Sequence, residues 1–265
     1  MSPAPLPAPP AVSGFAPRAV GFQEAGSLLR ETWKLVFLSP GRLIGLYLAI
    51  YLPVQLVSGM ALVVMPLRSA LVSIGFAGYY LALEAAYRGR PPGLSDLAGL
   101  VRMPRGLWAL LALAGLFSVL AVWGLWWLDM GTAQLRELLT APLAAAADPA
   151  RAAEAVMTVS NPPLAQKIEA VAMENLIDIP LLFLQPLCVL RSWSATRTLS
   201  ANLIASLANW RWALVLAVAL GAAGFALYDW QPQGLGSTFL LLAADVAIGI
   251  VSNAFTLVLM HRALG

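Results

Sequence analysis

Residues 200–227, SANLIASLANWRWALVLAVALGAAGFAL, contain the two kinds of helix that decide the predicted fold. Leu199, Leu203 and Leu207 recur every four residues, which places them on one face of a helix. The run that follows Trp210 is almost wholly apolar, and about 20 such residues cross a hydrocarbon layer ~30 Å thick. The stretch therefore predicts an amphipathic helix lying in the membrane interface, an elbow, and a transmembrane helix.

The same order occurs twice more along the chain. It is present at residues 27–53, SLLRETWKLVFLSPGRLIGLYLAIYLP, and at residues 95–122, SDLAGLVRMPRGLWALLALAGLFSVLAV. One helical face of the first copy is predicted to carry four apolar residues: Leu28, Leu29, Trp33 and Phe37. We predict three units, each an amphipathic helix on the cytoplasmic side followed by a transmembrane hairpin. They cover about residues 21–88, 89–190 and 191–265.

Composition agrees with a membrane location. Of the 265 residues, 60% are hydrophobic and 11% are charged, and the mean hydropathy is +0.79. Soluble domains carry about 25% charged residues, so this chain has too little polar surface to cover a water-soluble globule. These values exclude an ordinary soluble enzyme, a disordered chain and a fibrous repeat. They predict an all-α polytopic membrane protein.

Six apolar windows are long enough to span a bilayer. They are Leu43–Met65, Ala70–Tyr87, Leu107–Leu128, Val171–Leu190, Trp212–Tyr228 and Thr238–Met260. We expect the fourth helix to run unbroken into the membrane from a start at Asn161, although it contains Glu174 and Asp178. Pro180 and Pro186 are expected to break or kink this helix, and Pro53 the first one.

The segments outside the spans set the predicted topology. Residues 1–20 are rich in Pro and Ala, which predicts a disordered tail, and residues 21–265 form a single membrane domain with an external loop at 129–169. With a cytoplasmic N-terminus, four of the 16 basic residues face outward: Arg68, Arg136, Arg151 and Lys167. Because cytoplasmic loops carry the excess of Lys and Arg, both termini are predicted to be cytoplasmic, in a bacterial inner membrane.

Polar residues within the apolar windows are the candidate site residues, since charges in the membrane are costly and face the bundle interior. The candidates are Arg68, Glu84, Glu174, Asp178, Gln185, Asp245, Asn253 and Gln55. Their helical spacing allows two interpretations: they line a polar cavity, or they form hydrogen bonds between helices. Glu84 is expected to pair with Arg88 four residues later, and Arg68 with Asp178 or Asp245.

The sequence gives little indication of a disulfide, a metal site or a catalytic site. The single cysteine, Cys188, permits no intrachain disulfide. The single histidine, His261, is expected to be an interfacial residue at the end of a helix. No spacing of carboxylates matches a metal site, and no nucleophile has a base within reach. We therefore expect no catalytic residue, no metal, no cofactor and no nucleic-acid partner.

Three stretches resemble a known group of membrane proteins. TWKLVFLSPGRLIGLYLA, GFAGYYLALEAAYRGRPPGLSDLAGL and SATRTLSANLIASLANWRW are similar to segments of bacterial integral membrane proteins related to the membrane domain of glycerophosphodiester phosphodiesterases. The resemblance covers about residues 25–262 and implies an inner-face amphipathic helix before each hairpin. The chain lacks the phosphodiesterase catalytic domain, so the resemblance implies no activity.

The sequence is compatible with two functions. The first is a non-catalytic accessory or membrane-homeostasis protein that binds membrane lipid, another amphiphile, or a protein partner through its cytoplasmic amphipathic helices. The second is a small secondary transporter that uses the intramembrane carboxylates. An apolar groove favours the first, and a cavity at mid-membrane depth favours the second.

Overall fold

The protein is described from a computed structural model, which covers residues 17–58, 65–121, 124, 179–191, 193–229 and 235–264. The structure is all-helical, with 88% of residues in helix and no strand in the described part. Its helices are α1 (Ala25–Leu38), α2 (Pro40–Ser58), α3 (Met65–Tyr87), α4 (Leu94–Leu97), α5 (Arg105–Ala121), α6 (Leu184–Leu190), α7 (Ala195–Ala208), α8 (Trp210–Asp229) and α9 (Leu235–Leu264). Short 3₁₀ turns lie at Phe22–Glu24, Ala98–Arg102 and Ile179–Leu181.

Three sharp elbows connect short helices to longer apolar ones. The chain bends by 84° between Phe22–Leu38 and Pro40–Val54, and by 106° between Leu94–Arg102 and Arg105–Ala121. It bends by 82° between Ala195–Ala208 and Trp210–Ala223. The predicted order of short helix, elbow and apolar helix is therefore present in all three units.

The structure contains helices that are long and apolar enough to cross a membrane. Pro66–Tyr87 and Gly236–Leu264 each qualify alone, and the number rises to five if each bent pair counts as one span. This range indicates a membrane protein. The arrangement of six spans as three hairpins stays a prediction.

The predicted fourth helix is interrupted within the described residues. A 3₁₀ turn at Ile179–Leu181 is followed by two non-helical residues, and α6 begins only at Leu184. The break expected at Pro180 is therefore present, and the stretch from Asn161 to Asp178, which was expected to enter the membrane unbroken, lies outside the described residues. Proline removes a backbone donor, and the side chain of Asn202 bonds the groups freed at the break: its amide donates to Pro180 O (2.6 Å), and its Oδ1 accepts from Phe183 N (3.0 Å).

The core is built around α3 and α9. Helix α3 packs against α2, α6 and α9, and α9 packs also against α1 and α8. Tyr79 and Leu83 from α3 are fully buried, as are Leu257 and Met260 from α9. These two helices are the spans that qualify alone, and the bent units are arranged around them.

The end of the predicted N-terminal tail is ordered. Arg18 N donates to Ala263 O over 2.7 Å, and Val20 N donates to Asn209 Oδ1 over 2.9 Å. The indole of Trp212 donates to Val20 O over 2.9 Å. The expectation of disorder up to residue 20 is therefore wrong for residues 17–20, because side chains of the third unit bond this extended backbone. Residues 1–16 lie outside the described part.

Two glycines allow helices to approach closely. A Cβ at Gly249 on α9 would overlap the hydroxyl of Tyr47, and a Cβ at Gly115 on α5 would overlap the backbone of Ser69. Tyr47 has little room to move, since its ring lies 5.1 Å from Phe76 and 5.4 Å from Tyr79 between centroids. Small residues at such crossings are typical of membrane helices.

We predict that Gly249→Ala lowers the free energy of unfolding by about 1–3 kcal/mol, because an added methyl overpacks the contact with Tyr47. Gly236→Ala is the matched control on α9, since its Cβ meets nothing within 4 Å. Unfolding in mixed micelles of increasing denaturing-detergent fraction measures both. Equal stability of the two variants would contradict the packing described here.

Candidate functional site

An apolar groove of about 470 Å³ lies at the first elbow. Helices α1, α2 and α9 form its walls, with Trp33 and Phe37 on α1, Ile44 on α2 and Phe239 on α9. The rings of Trp33 and Phe37 stack with centroids 5.5 Å apart. The side chain of Phe37 is 69% exposed and that of Phe239 is 68% exposed, so the groove is open at its edge. Its size lies within the range of known ligand sites.

Helix α1 has two apolar faces. Leu28, Thr32 and Leu35 are buried against the core, while Trp33 and Phe37 are exposed at the groove. The prediction that Leu28 shares one face with Trp33 and Phe37 is wrong. The physical reason is that α1 packs on α9 as well as presenting an outward face.

Helix α7 has its polar side inward. Its buried residues are Thr198, Ala201, Asn202, Ala205 and Ser206. Two residues of the predicted apolar face point outward, with Leu203 39% exposed and Leu207 70% exposed, whereas Leu199 is partly buried against the core. An apolar face without protein cover costs free energy in water and is favourable in lipid. The inward polar residues and the outward leucines agree with a helix that lies against a membrane.

A second, polar cavity of about 210 Å³ lies between α3, α5, α6, α8 and α9. Its polar lining consists of Tyr80, Ser118, Gln185, Ser252, Asn253 and Thr256. The predicted site residues Gln185 and Asn253 are therefore brought together. Ala213 and Ala217 on α8 also line the cavity, and their small side chains leave space in it.

The described lining of this cavity contains no charged side chain. Two of its polar groups are bonded to their own helix: Ser252 Oγ donates to Gly249 O over 3.0 Å, and the Asn253 amide donates to the same oxygen over 2.7 Å. Such back-bonding leaves the Asn253 carbonyl oxygen to accept from a guest. The lining suits water or an uncharged polar solute better than an ion.

Asp245 is not among the residues that line this cavity, and it forms a hydrogen bond between helices. The hydroxyl of Tyr51 on α2 donates to the Asp245 carboxylate on α9. Within the described residues Arg68 forms no salt bridge with Asp245, and the buried Arg68 Nε has no hydrogen-bond partner. Of the two partners predicted for Arg68, Asp245 is therefore bonded to a tyrosine instead, and the alternative partner Asp178 lies outside the described residues.

Glu84 is the centre of a charged cluster at the end of α3. The predicted pair is confirmed, with Arg88 Nε 2.6 Å from Glu84 Oε1. His261 Nε2 lies 2.7 Å from the other carboxylate oxygen, and the His261 ring stacks on Tyr87 at 4.6 Å. His261 lies in the last turn of α9, as expected, and it also connects α9 to α3.

The neighbouring residue extends this network to α1. Arg262 contacts Glu31 through both Nε and Nη2, and its Nη1 lies 3.2 Å from Glu24. Arg18 also pairs with Glu24. The start of the described chain and the end of α9 therefore meet in one charged network with α1.

Several candidates fall outside the described part of the chain: Glu174, Asp178 and the side chain of Gln55. The predicted Arg68–Asp178 pair and the external loop at 129–169 lie there too.

Asn202 and Asn209 were not among the predicted site residues, although both bond other parts of the chain. Both lie on the polar side of the third amphipathic segment, and this position could have indicated that they face the protein interior.

Comparisons with protein-family models, with curated proteins and with solved structures found no match for this chain. Among the described residues, no group of three or more His, Cys, Asp or Glu side chains could hold a metal ion. The site is therefore interpreted from its geometry.

We predict that Tyr51→Phe destabilises the protein by about 1 kcal/mol, because Asp245 loses a donor in a partly buried position. Tyr87→Phe is the control, since it keeps the ring that stacks on His261. Thermal unfolding in detergent monitored by circular dichroism compares the two variants. A Tyr51→Phe protein as stable as the control would show that the hydroxyl contributes nothing.

Proposed function

We propose that this chain is a non-catalytic membrane protein that binds a lipid or another amphiphile in the apolar groove. The groove itself is the observation that carries the proposal. Its lining is almost entirely hydrocarbon, apart from the indole of Trp33, so it offers an apolar guest burial but little hydrogen bonding. Its position at an elbow places it where a transmembrane helix meets an interfacial one.

The proposed setting is the bacterial inner membrane, with six spans and both termini cytoplasmic. Outward apolar residues on all three short helices support an interfacial position for them, among them Phe37, Val101 (82% exposed) and Leu207. The resemblance to the membrane-domain group of glycerophosphodiester phosphodiesterases is part of the same proposal. The resemblance implies an order of amphipathic and transmembrane helices, but it implies no activity.

A small transporter is the second candidate, and the polar cavity favours it. The carboxylates that such a transporter was expected to use argue against it. Asp245 is bonded to Tyr51, and Glu84 is bonded to Arg88 and His261. Neither belongs to the described lining of the cavity. Asp245 and Glu84 would therefore take no direct part in binding a solute there, and the other predicted carboxylates, Glu174 and Asp178, lie outside the described residues.

A protein partner docked on the short helices is a third possibility within the same accessory role. Their exposed side chains are apolar, which suits lipid and a hydrophobic partner alike. The lining from three helices favours lipid, because it gives a hydrocarbon chain burial against α1, α2 and α9 at once.

We expect Ala247→Trp to fill the groove and to reduce the lipid that co-purifies with the protein. Ala247 lines the groove and is exposed on α9, so an indole there occupies the space of the guest. Ala109→Trp on α5 is the matched control, because Ala109 is exposed but does not line the groove. Quantitative lipid mass spectrometry after delipidating washes measures the retained lipid per protein.

Retention of tightly bound lipid by the wild type and the control, but not by Ala247→Trp, is the expected result. Equal retention by all three proteins would overturn the assignment of the groove. A folded wild type that retains no lipid above the detergent background would overturn the proposed function.

A further inference from the structure

Two basic residues flank the exposed aromatic pair on α1. Arg30 precedes Trp33 by three residues and Lys34 precedes Phe37 by three, which places each cation one helical turn from a ring of the groove wall. Both side chains belong to exposed residues. Arg30 and Lys34 are themselves four residues apart, so they lie on neighbouring turns of the same side.

These two cations have no acidic partner in the described part of the chain. The carboxylates of the same region are engaged elsewhere. Glu31 and Glu24 bind Arg262, and Glu24 also binds Arg18. Like charges four residues apart repel each other, so an anion between them would relieve the repulsion.

The groove and the two cations therefore match the two parts of an amphiphile, its hydrocarbon chain and its polar headgroup. The groove offers burial to a hydrocarbon chain, and the basic pair beside its aromatic wall offers charge-assisted hydrogen bonds to a phosphate. Trp33 lies between the two regions, with an apolar ring and a polar N–H, as at a membrane interface. An uncharged amphiphile would leave the two cations without a partner.

We infer that the occupant of the groove is an anionic phospholipid, with one acyl chain between α1, α2 and α9 and its phosphate group at Arg30 and Lys34. This inference rests on the proposed function and names its ligand class. A zwitterionic lipid carries the same acyl chain and phosphate but adds a positive charge, which the basic pair repels. Selectivity for net negative charge is therefore the property to measure.

Native mass spectrometry of the detergent-solubilised full-length protein provides the test. Phosphatidylglycerol and phosphatidylcholine with identical acyl chains are titrated separately. The wild type is expected to bind phosphatidylglycerol about tenfold more tightly, because the basic pair repels the choline cation of phosphatidylcholine and phosphatidylglycerol has no such charge. The double variant Arg30→Gln/Lys34→Gln is expected to lose this preference while it still binds phosphatidylcholine.

Arg102→Gln/Arg105→Gln is the matched control, since it removes two exposed basic residues at the second elbow. It is expected to keep the preference. An equal loss in this control would show that net charge, and not the basic pair on α1, determines selectivity, and would overturn the inference.

Failure of the inference and failure of the proposed function give different results. If the wild type binds both lipids equally and Ala247→Trp blocks both, the groove is a lipid site without headgroup selection, and only the inference is overturned. If the wild type binds neither lipid, the proposed function itself is overturned.

Discussion

Backbone groups at a helix break beside lipid must find partners within the protein, because the hydrocarbon offers none. Two asparagines meet this requirement, one within α7 and one directly after its end. Asn202 bonds the break before α6, and Asn209 bonds the chain at Val20 and Arg18. Helix α7 therefore holds the N-terminal segment and the second unit in place. The polar side of this helix faces inward for that reason, and its leucines face outward.

The outward apolar faces follow from the same arrangement. A short helix that uses its polar side chains to bond the bundle presents its leucines or aromatic rings to the surroundings. A membrane covers such apolar side chains at no cost in free energy. Helix α1 does this with Trp33 and Phe37 while Leu28 and Leu35 pack on the core. The bend of 84° between this helix and the next opens the apolar groove. The proposed lipid site is thus a consequence of the elbow.

Periodicity and composition were enough to predict the all-helical fold, the three elbows and the Glu84–Arg88 pair, because these depend on neighbours in sequence. Side-chain contacts between different helices could not be predicted from periodicity and composition. Asp245 lies 194 residues from Tyr51, and His261 lies 177 residues from Glu84, so helical spacing contains no information about either contact. The order of residues 17–20 was missed for the same reason, since Asn209 is distant in sequence.

Depth measurement by spin labelling tests most directly the claim that the three short helices lie in a membrane interface. Nitroxides at Phe37→Cys, Val101→Cys and Leu207→Cys, each in a Cys188→Ala background in liposomes, report collisions with oxygen and with a water-soluble nickel reagent. A label at Arg90→Cys, on the exposed turn after α3, is the aqueous control. The account predicts that oxygen is favoured at all three helices, at similar shallow depth, and that the nickel reagent is favoured at residue 90. Preference for the nickel reagent on any one of the three helices would contradict it.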